Sequence, residues 1–424
     1  MFKLPGLKGQ QGVAKGTLYV AASFATSGLL TFVFHVYTGR ELGLERYGDF
    51  GVMWTSVFLV AQVLWIGVSQ TLGRYIAERE ARGEDPGPVV SSVKRLTLIL
   101  LGVFLLVSAL ASPWLVGVIF EGDVLLAGAF VAAVAAYAPE YFRRGTFGGH
   151  RQFARLGALH VVESSSRMVI GLGLLFAGVG MVGPAFAVAV GPLLGVLAVR
   201  PAPVEEVVAE QKVGSPFSAA GAFRFAGPVL ACVAFGQLLM NGGPILARLL
   251  GGTSEEISLL VAALILARTP QTVLSPVVAT LLPHASRTLA TEGIRGFDRF
   301  VLRSVVLVGS IGIIMVAGAW FLGEWALLLF GSGFLAGRVL LAALAALAAF
   351  YLLSETLNQA LFALGRGRLA ALGWFVGLLV AIGCLIFLRT DAVVDGIAYS
   401  LALGALFAAA AQIVFYLMVR VPRG

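Results

Sequence analysis

The feature that most constrains this chain is a succession of apolar runs, each about as long as a helix needs to cross a membrane. The hydrocarbon core of a bilayer takes roughly 20 apolar residues of helix. Twelve runs meet that length, over 16–38, 48–70, 96–120, 124–147, 156–179, 182–199, 219–243, 257–282, 299–322, 337–361, 369–388 and 394–418. They are continuous rather than alternating, which argues for helices and against a transmembrane barrel. Pro113 interrupts the third and makes it the least regular. The pattern predicts an all-α integral membrane protein with twelve transmembrane helices.

The composition supports this. Only 12% of the residues are charged and 59% are hydrophobic, whereas a soluble domain carries about 25% charged residues. A surface this apolar has to be covered by lipid. The first run follows Lys3, Lys8 and Lys15 and is too long for a signal-peptide core, so it is expected to stay as the first membrane helix. Cys232 and Cys384 both lie inside apolar runs and read as small buried hydrophobes, with no disulfide framework.

The 30 Lys and Arg residues set the orientation. With the N-terminus in the cytoplasm, 23 fall in inner segments, 5 in outer segments (Arg40, Arg46, Arg248, Arg338, Arg389), and Arg167 and Arg268 within helices. This excess on one side predicts that both termini are cytoplasmic. It also accounts for the net charge of +8 without nucleic acid. A bacterial-type plasma (inner) membrane is the expected location.

The longest polar connection, RPAPVEEVVAEQKVGSP, separates helices six and seven. It predicts an N-terminal six-helix bundle over 1–200, a cytoplasmic linker over 201–216 and a C-terminal six-helix bundle over 217–424. An even number of helices per half gives both halves the same orientation, as in repeats related by a pseudo-two-fold axis along the membrane normal. A weak internal repeat agrees. Glu140, Phe147 and Arg151 match Glu355, Phe362 and Arg366, each 215 positions on, and Arg40 and Gly43 match Arg248 and Gly251 at 208.

Ionisable residues deep in membrane helices are the candidates for function. An arginine at a helix centre costs roughly 2.5–3.5 kcal/mol to insert. Arg268 is near the middle of helix eight, in LILARTPQTVLSP, with Thr269 and Gln271 beside it. Pro270 withholds a backbone donor there and is expected to kink the helix. Arg268 is expected to face a polar central cavity. Arg167 is in the middle of helix five, four residues after Glu163, a spacing at which the two can neutralise each other. Gln237 and Asn241 lie one turn apart on helix seven, and His35 precedes Arg40 on helix one. Amides in membranes also serve helix packing. The candidate substrate-binding set is Arg268, Gln271, Arg167, Arg40, Gln237 and Asn241.

No Walker loop occurs, and the four histidines form no pair with metal-ligand spacing. The outer loops are too short to build a catalytic site. Neither an enzyme, a metal nor a cofactor is expected.

The segment TGRELGLERYGDFGVMWTSVFLVAQVLWIGVSQTLGRYIAERE resembles the helix one–two region of the polysaccharide-type flippases, through Leu42, Gly43, Tyr47, Gly48, Phe50 and Arg74. VVATLLPHASR and LFALGRGRLAALG are similar to other segments of that family. Its superfamily also includes multidrug extrusion transporters and lipid II flippases. The resemblance implies two six-helix bundles around a central cavity, working by alternating access. It further implies transfer of a polyprenyl-pyrophosphate-linked oligosaccharide to the outer leaflet during cell-surface polysaccharide assembly. By helix and depth, Arg268 is the residue onto which the lipid II branch's pyrophosphate-binding cations carry over. The implied partners are the lipid-linked oligosaccharide, membrane lipid and a glycan polymerase or glycosyltransferase. The alternative is an ion-coupled exporter of drugs or organic cations with the same fold.

Overall fold

The computed structural model describes residues 7–202, 219–279, 281–388, 390 and 392–420. Arg389 and the linker expected at 201–216, apart from its first two positions, lie outside them. Leu7–Arg82 is helical throughout but turns at Gly43 (φ 68°, ψ −177°). The positive φ is one that an L side chain resists and glycine accepts. The turn separates α1 (7–42) from α2 (44–82). These helices fold back on each other: Phe34 meets Phe50 with ring centroids 5.9 Å apart, and His35 meets Trp54 at 4.3 Å.

The chain continues through α3 (Gly87–Leu110), α4 (Val124–Gly149), α5 (Phe153–Leu174) and α6 (Val182–Ala198). Pro113 does break the third apolar run: α3 ends at Leu110, and a short turn, Ser112–Trp114, leads into a π-helical turn, Leu115–Ile119. Next come α7 (Ala219–Leu249) and α8 (Ser254–Ala279). Helix α8 is helical through Pro270. The helix Leu281–Leu327 turns at Gly293 (φ 66°, ψ −169°), and its second part is α9 (294–327). Then follow α10 (Arg338–Ala363), α11 (Gly367–Phe387) and α12 (Val393–Arg420). The twelve long helices among the described residues overlap the twelve apolar runs; α1 and α2 extend well into polar sequence, and α3 starts earlier and stops before the Pro113 break.

Sharp turns recur along the chain. Left-handed residues pair as Gly43 with Gly251, Gly83 with Gly293, Gly122 with Gly331, and Arg151 with Gly365, separated by 208, 210, 209 and 214 positions.

Burial distinguishes the helices. Helix α3 and the α9 segment are the peripheral ones: their most apolar windows are only 22% and 11% buried, with mean hydropathies of 2.1 and 2.4. Leu106, Ile313, Ile314 and Phe321 point outward, where lipid is the only solvent that favours them. Helix α2 is central, with Tyr47, Phe50, Met53, Trp65 and Leu72 fully buried. Glycines spaced four apart let helices approach it and one another. Gly145 and Gly149 of α4 lie against Ser69, Leu72 and Ile76 of α2, and Gly373 and Gly377 of α11 lie against Gly404, Ala408 and Gln412 of α12.

Candidate substrate-binding site

Three of the six residues singled out from sequence come together in one hydrogen-bonded chain. Arg268 of α8 donates from Nη1 to Asn241 Oδ1 of α7 at 2.6 Å. Asn241 donates to the Gln237 side-chain oxygen, one turn away on α7. Gln237 donates from Nε2 to the Tyr351 hydroxyl of α10 at 3.2 Å, and Tyr351 packs against Trp374 of α11 with centroids 5.1 Å apart. The hydrogen bonds therefore link α7, α8 and α10 of the C-terminal half, and the ring contact adds α11. Thr269 and Thr272 donate to the carbonyls of Ile265 and Arg268, so their hydroxyls serve the helix itself. Gln271 is buried three residues after Arg268.

Arg268 has an amide partner and no acid. Among the described residues, no carboxylate lies within 4.0 Å of its guanidinium, although other interior arginines have one. A membrane-embedded charge satisfied only by an amide retains most of its attraction for an anion, because the low dielectric around it does not screen it.

Arg167 is placed differently. It is buried among Glu163, Tyr137, Thr31 and Ser164, with Nη1 3.2 Å from both Glu163 and the Tyr137 hydroxyl. Its guanidinium also lies over Trp54, 4.9 Å from the ring centroid. Arg144 completes the group, donating to Glu140 at 2.6 Å and to Glu163 at 3.0 Å. Two carboxylates thus meet two guanidiniums. Glu140, His160 and Glu163 bring ligand atoms within 4.8 Å of one another, a grouping that sequence spacing does not reveal. The arginines already occupy both carboxylates. His35 Nδ1 and the Tyr47 hydroxyl share a hydrogen bond at 2.9 Å.

Arg40 does not join these clusters. It is exposed near the Gly43 turn, and its Nε donates to the Leu329 carbonyl at 2.6 Å. This contact belongs to a closed end of the molecule. Arg248 pairs there with Asp49 and with Glu121, and Ser254 donates to Asp49 at 3.0 Å. A Cβ on Gly48 would overlap the Ser254 carbonyl, and one on Gly51 would lie 2.5 Å from Val261 Cγ2. Helices of the two halves are therefore in direct contact at this end.

The other end is open between the same halves. A cavity of about 760 Å³ is lined by Gly67, Gln70, Thr71 and Tyr75 of α2, by Pro228, Val229, Leu230, Cys232 and Val233 of α7, and by Glu355, Arg366 and Arg368 around α10 and α11. Gln237 follows Val233 by one turn along α7, so the Arg268 chain begins where the cavity lining ends. From sequence, Glu355 is an acid candidate for the alternative cation-export reading, and Glu140 is expected to pair with a nearby arginine; the Tyr351 position and the partners of Arg248 are not singled out. Their signal lies in contacts between helices, which hydropathy does not carry.

Twelve long helices among the described residues, a fold closed at one end and a cavity at the other, lined up to the turn before Gln237, define a transporter-like membrane fold. Similarity to solved structures agrees with this. An inward-facing multidrug resistance MATE family transporter of the MOP superfamily matches with TM-score 0.74 at 17% identity, over 93% of this chain and 94% of that one. An outward-facing MATE family transporter matches with TM-score 0.70 at 15% identity, over 96% and 95%. A MOP superfamily transporter from Pyrococcus furiosus, described by the reverse polarity of its binding pocket, matches with TM-score 0.71 at 15% identity, over 96% and 95%. Uncharacterised proteins of Mycobacterium tuberculosis and Mycobacterium bovis are 24% identical over 398 residues, 90% of this chain and 88% of theirs. Residues 13–289 match the family described as Polysaccharide biosynthesis protein, and the chain belongs to that family.

Proposed function

We propose that this protein is a flippase that carries a polyprenyl-pyrophosphate-linked oligosaccharide from the cytoplasmic to the outer leaflet by alternating access. The observation that carries the reading is Arg268, a cation near the middle of a membrane helix with an amide partner and no acid among the described residues. A pyrophosphate cannot cross hydrocarbon bare. A guanidinium gives it two parallel charge-assisted hydrogen bonds, while the polyprenyl tail remains in lipid. Asn241 and Gln237 hold the guanidinium in place and offer further polar contacts to the head group, with Gln271 on the same helix. Membership of the polysaccharide biosynthesis family supports this class of cargo.

The remaining parts of the reading follow from charge and repeat. The Lys and Arg distribution supports a reading in which both termini are cytoplasmic and the membrane is a bacterial-type inner membrane. The cavity at the Tyr75 and Arg366 end then opens to the cytoplasm, and Arg366 and Arg368 meet the incoming anion first. The recurring left-handed turns support division into bundles over 1–200 and 217–424, joined by the linker at 201–216. Rocking of one bundle against the other exposes Arg268 to each side in turn. Arg167, satisfied by Glu163, braces the N-terminal bundle, and Arg40 braces the closed end. Glycosyltransferases and a polymerase are the partners this cargo implies. The competing reading, export of an organic cation, relies on Glu355 in the cavity wall.

Expression of Arg268→Ala in cells lacking the native protein tests the assignment. Export of surface glycan should be lost at normal protein levels. Full export by this variant would remove Arg268 from the mechanism.

A further inference from the structure

Arg268 and Glu355, two interior groups of opposite charge in the C-terminal half, each lack an ion pair among the described residues. Arg268 has no acid within 4.0 Å among the described residues. Glu355 has no base within that distance among them; its Oε1 accepts only from Asn358 Nδ2 at 3.1 Å. The N-terminal half treats the repeat-related acid differently. Glu140, 215 positions before Glu355, is neutralised by Arg144 one turn later, at 2.6 Å. The position 215 residues after Arg144 is Gln359, which also lines the open cavity. The second half therefore keeps the acid and lacks its arginine.

The two charges are joined by neutral groups. Arg268 donates to Asn241, Asn241 to Gln237, and Gln237 to Tyr351. Glu355 follows Tyr351 by four residues, on the same face of α10. Cargo at Arg268 would sit at one end of this chain, with Glu355 at the other.

We propose that Glu355 is the internal counter-anion of Arg268: it takes the place of the anionic head group when the carrier is empty. This rests on the reading that Arg268 binds a pyrophosphate. A bare guanidinium is costly to pass through a closed, apolar intermediate. Either cargo or Glu355 must accompany it. The flexible arginine leaves Asn241 for Glu355 after release, so the empty protein can return, and arriving cargo must displace Glu355. The carboxylate thus competes with cargo and weakens its binding, in exchange for a faster reset.

Binding to the purified full-length chain tests this, with farnesyl pyrophosphate as a short-tailed probe measured by titration calorimetry. Glu355→Gln keeps the acceptor for Asn358 but removes the competing charge. It should bind the probe about tenfold more tightly than the unaltered protein, within the usual range for coupled sites. Glu355→Asp keeps the charge and should remain near the unaltered affinity, which separates competition from a general change in packing. Arg268→Gln should bind at least tenfold more weakly, whatever stands at 355. Unchanged or weaker binding by Glu355→Gln, with Arg268→Gln weakened as expected, would overturn the counter-anion role alone. Unweakened binding by Arg268→Gln would overturn the assignment of the pyrophosphate site itself. In proteoliposomes, Glu355→Gln should slow net transport several-fold yet leave exchange of cargo for cargo intact, because exchange needs no empty return. Equal slowing of both would also contradict the proposal.

Discussion

Two arginines near the middle of membrane helices have opposite surroundings, and the difference has consequences for stability. Arg167 is held by Glu163, Tyr137 and the face of Trp54. Removing one partner of such a buried pair leaves an uncompensated charge and costs about 3–5 kcal/mol. Glu163→Gln should therefore lower the melting temperature clearly in detergent, and the double variant Glu163→Gln/Arg167→Met should recover part of the loss. A single variant that melts with the unaltered protein would show that the pair is not a brace. Arg268→Met is expected to behave in the opposite way, melting at or above the unaltered protein, because a residue kept for cargo burdens the apo fold. The sequence shows the first case well, since a Glu–Arg pair four apart on a helix is a local feature. It also shows Arg268 by contrast with its apolar neighbours. It does not show that Arg268 meets Asn241, or that Arg40 reaches the Leu329 carbonyl, because position along one helix does not say which other helix lies opposite.

At the scale of elements, glycine governs how helices meet and turn. Gly43 adopts φ 68° at the α1–α2 turn, so Gly43→Ala should cost about 1–2 kcal/mol, measurable in the same melts. Gly48 and Gly51 let α2 press against the start of α8. A leucine at 51 would occupy the space of Val261, so Gly51→Leu should hold the closed end apart. Cysteine labelling with an impermeant reagent should then reach Ser254→Cys, which leaves the Arg248–Asp49 pair in place, readily in a Gly51→Leu background and poorly without it. Equal labelling would mean that this contact does not form a gate. Helix boundaries were legible from hydropathy because lipid imposes one length on every crossing. The Pro113 break was legible too. The packing of Gly48 on Ser254 was not, since nothing local distinguishes a glycine that touches another helix from one that faces lipid.

For the whole molecule, the two ends differ, and the proposed function makes them alternatives. Arg248 ties Asp49 and Glu121 at one end, while α2 and α11 stand apart around the cavity at the other. A rocking motion predicts reciprocal change. Spin labels at Thr71 and Leu369, across the cavity mouth, should approach in a Gly51→Leu background that opens the opposite end. Labels whose separation does not change would argue against rigid rocking. The fold class and the twelve crossings could be read from composition and periodicity. The family could be read from the α1–α2 segment. The cavity and its closed counterpart could not, because both arise between halves that are far apart in sequence and almost uniformly apolar.

The proposed role of Arg268 is to carry a pyrophosphate-linked glycan across the membrane. The most direct measurement is flipping by the purified chain alone in liposomes. It would use a fluorescent polyprenyl-pyrophosphate oligosaccharide and an impermeant quencher that reports leaflet exposure. Unaltered protein should exchange the probe between leaflets, Arg268→Ala should not exceed protein-free liposomes, and Arg268→Lys should recover only a fraction of the rate, since a point charge lacks the bidentate geometry. Probe exchange by Arg268→Ala at the unaltered rate, or none by the unaltered protein, would contradict it.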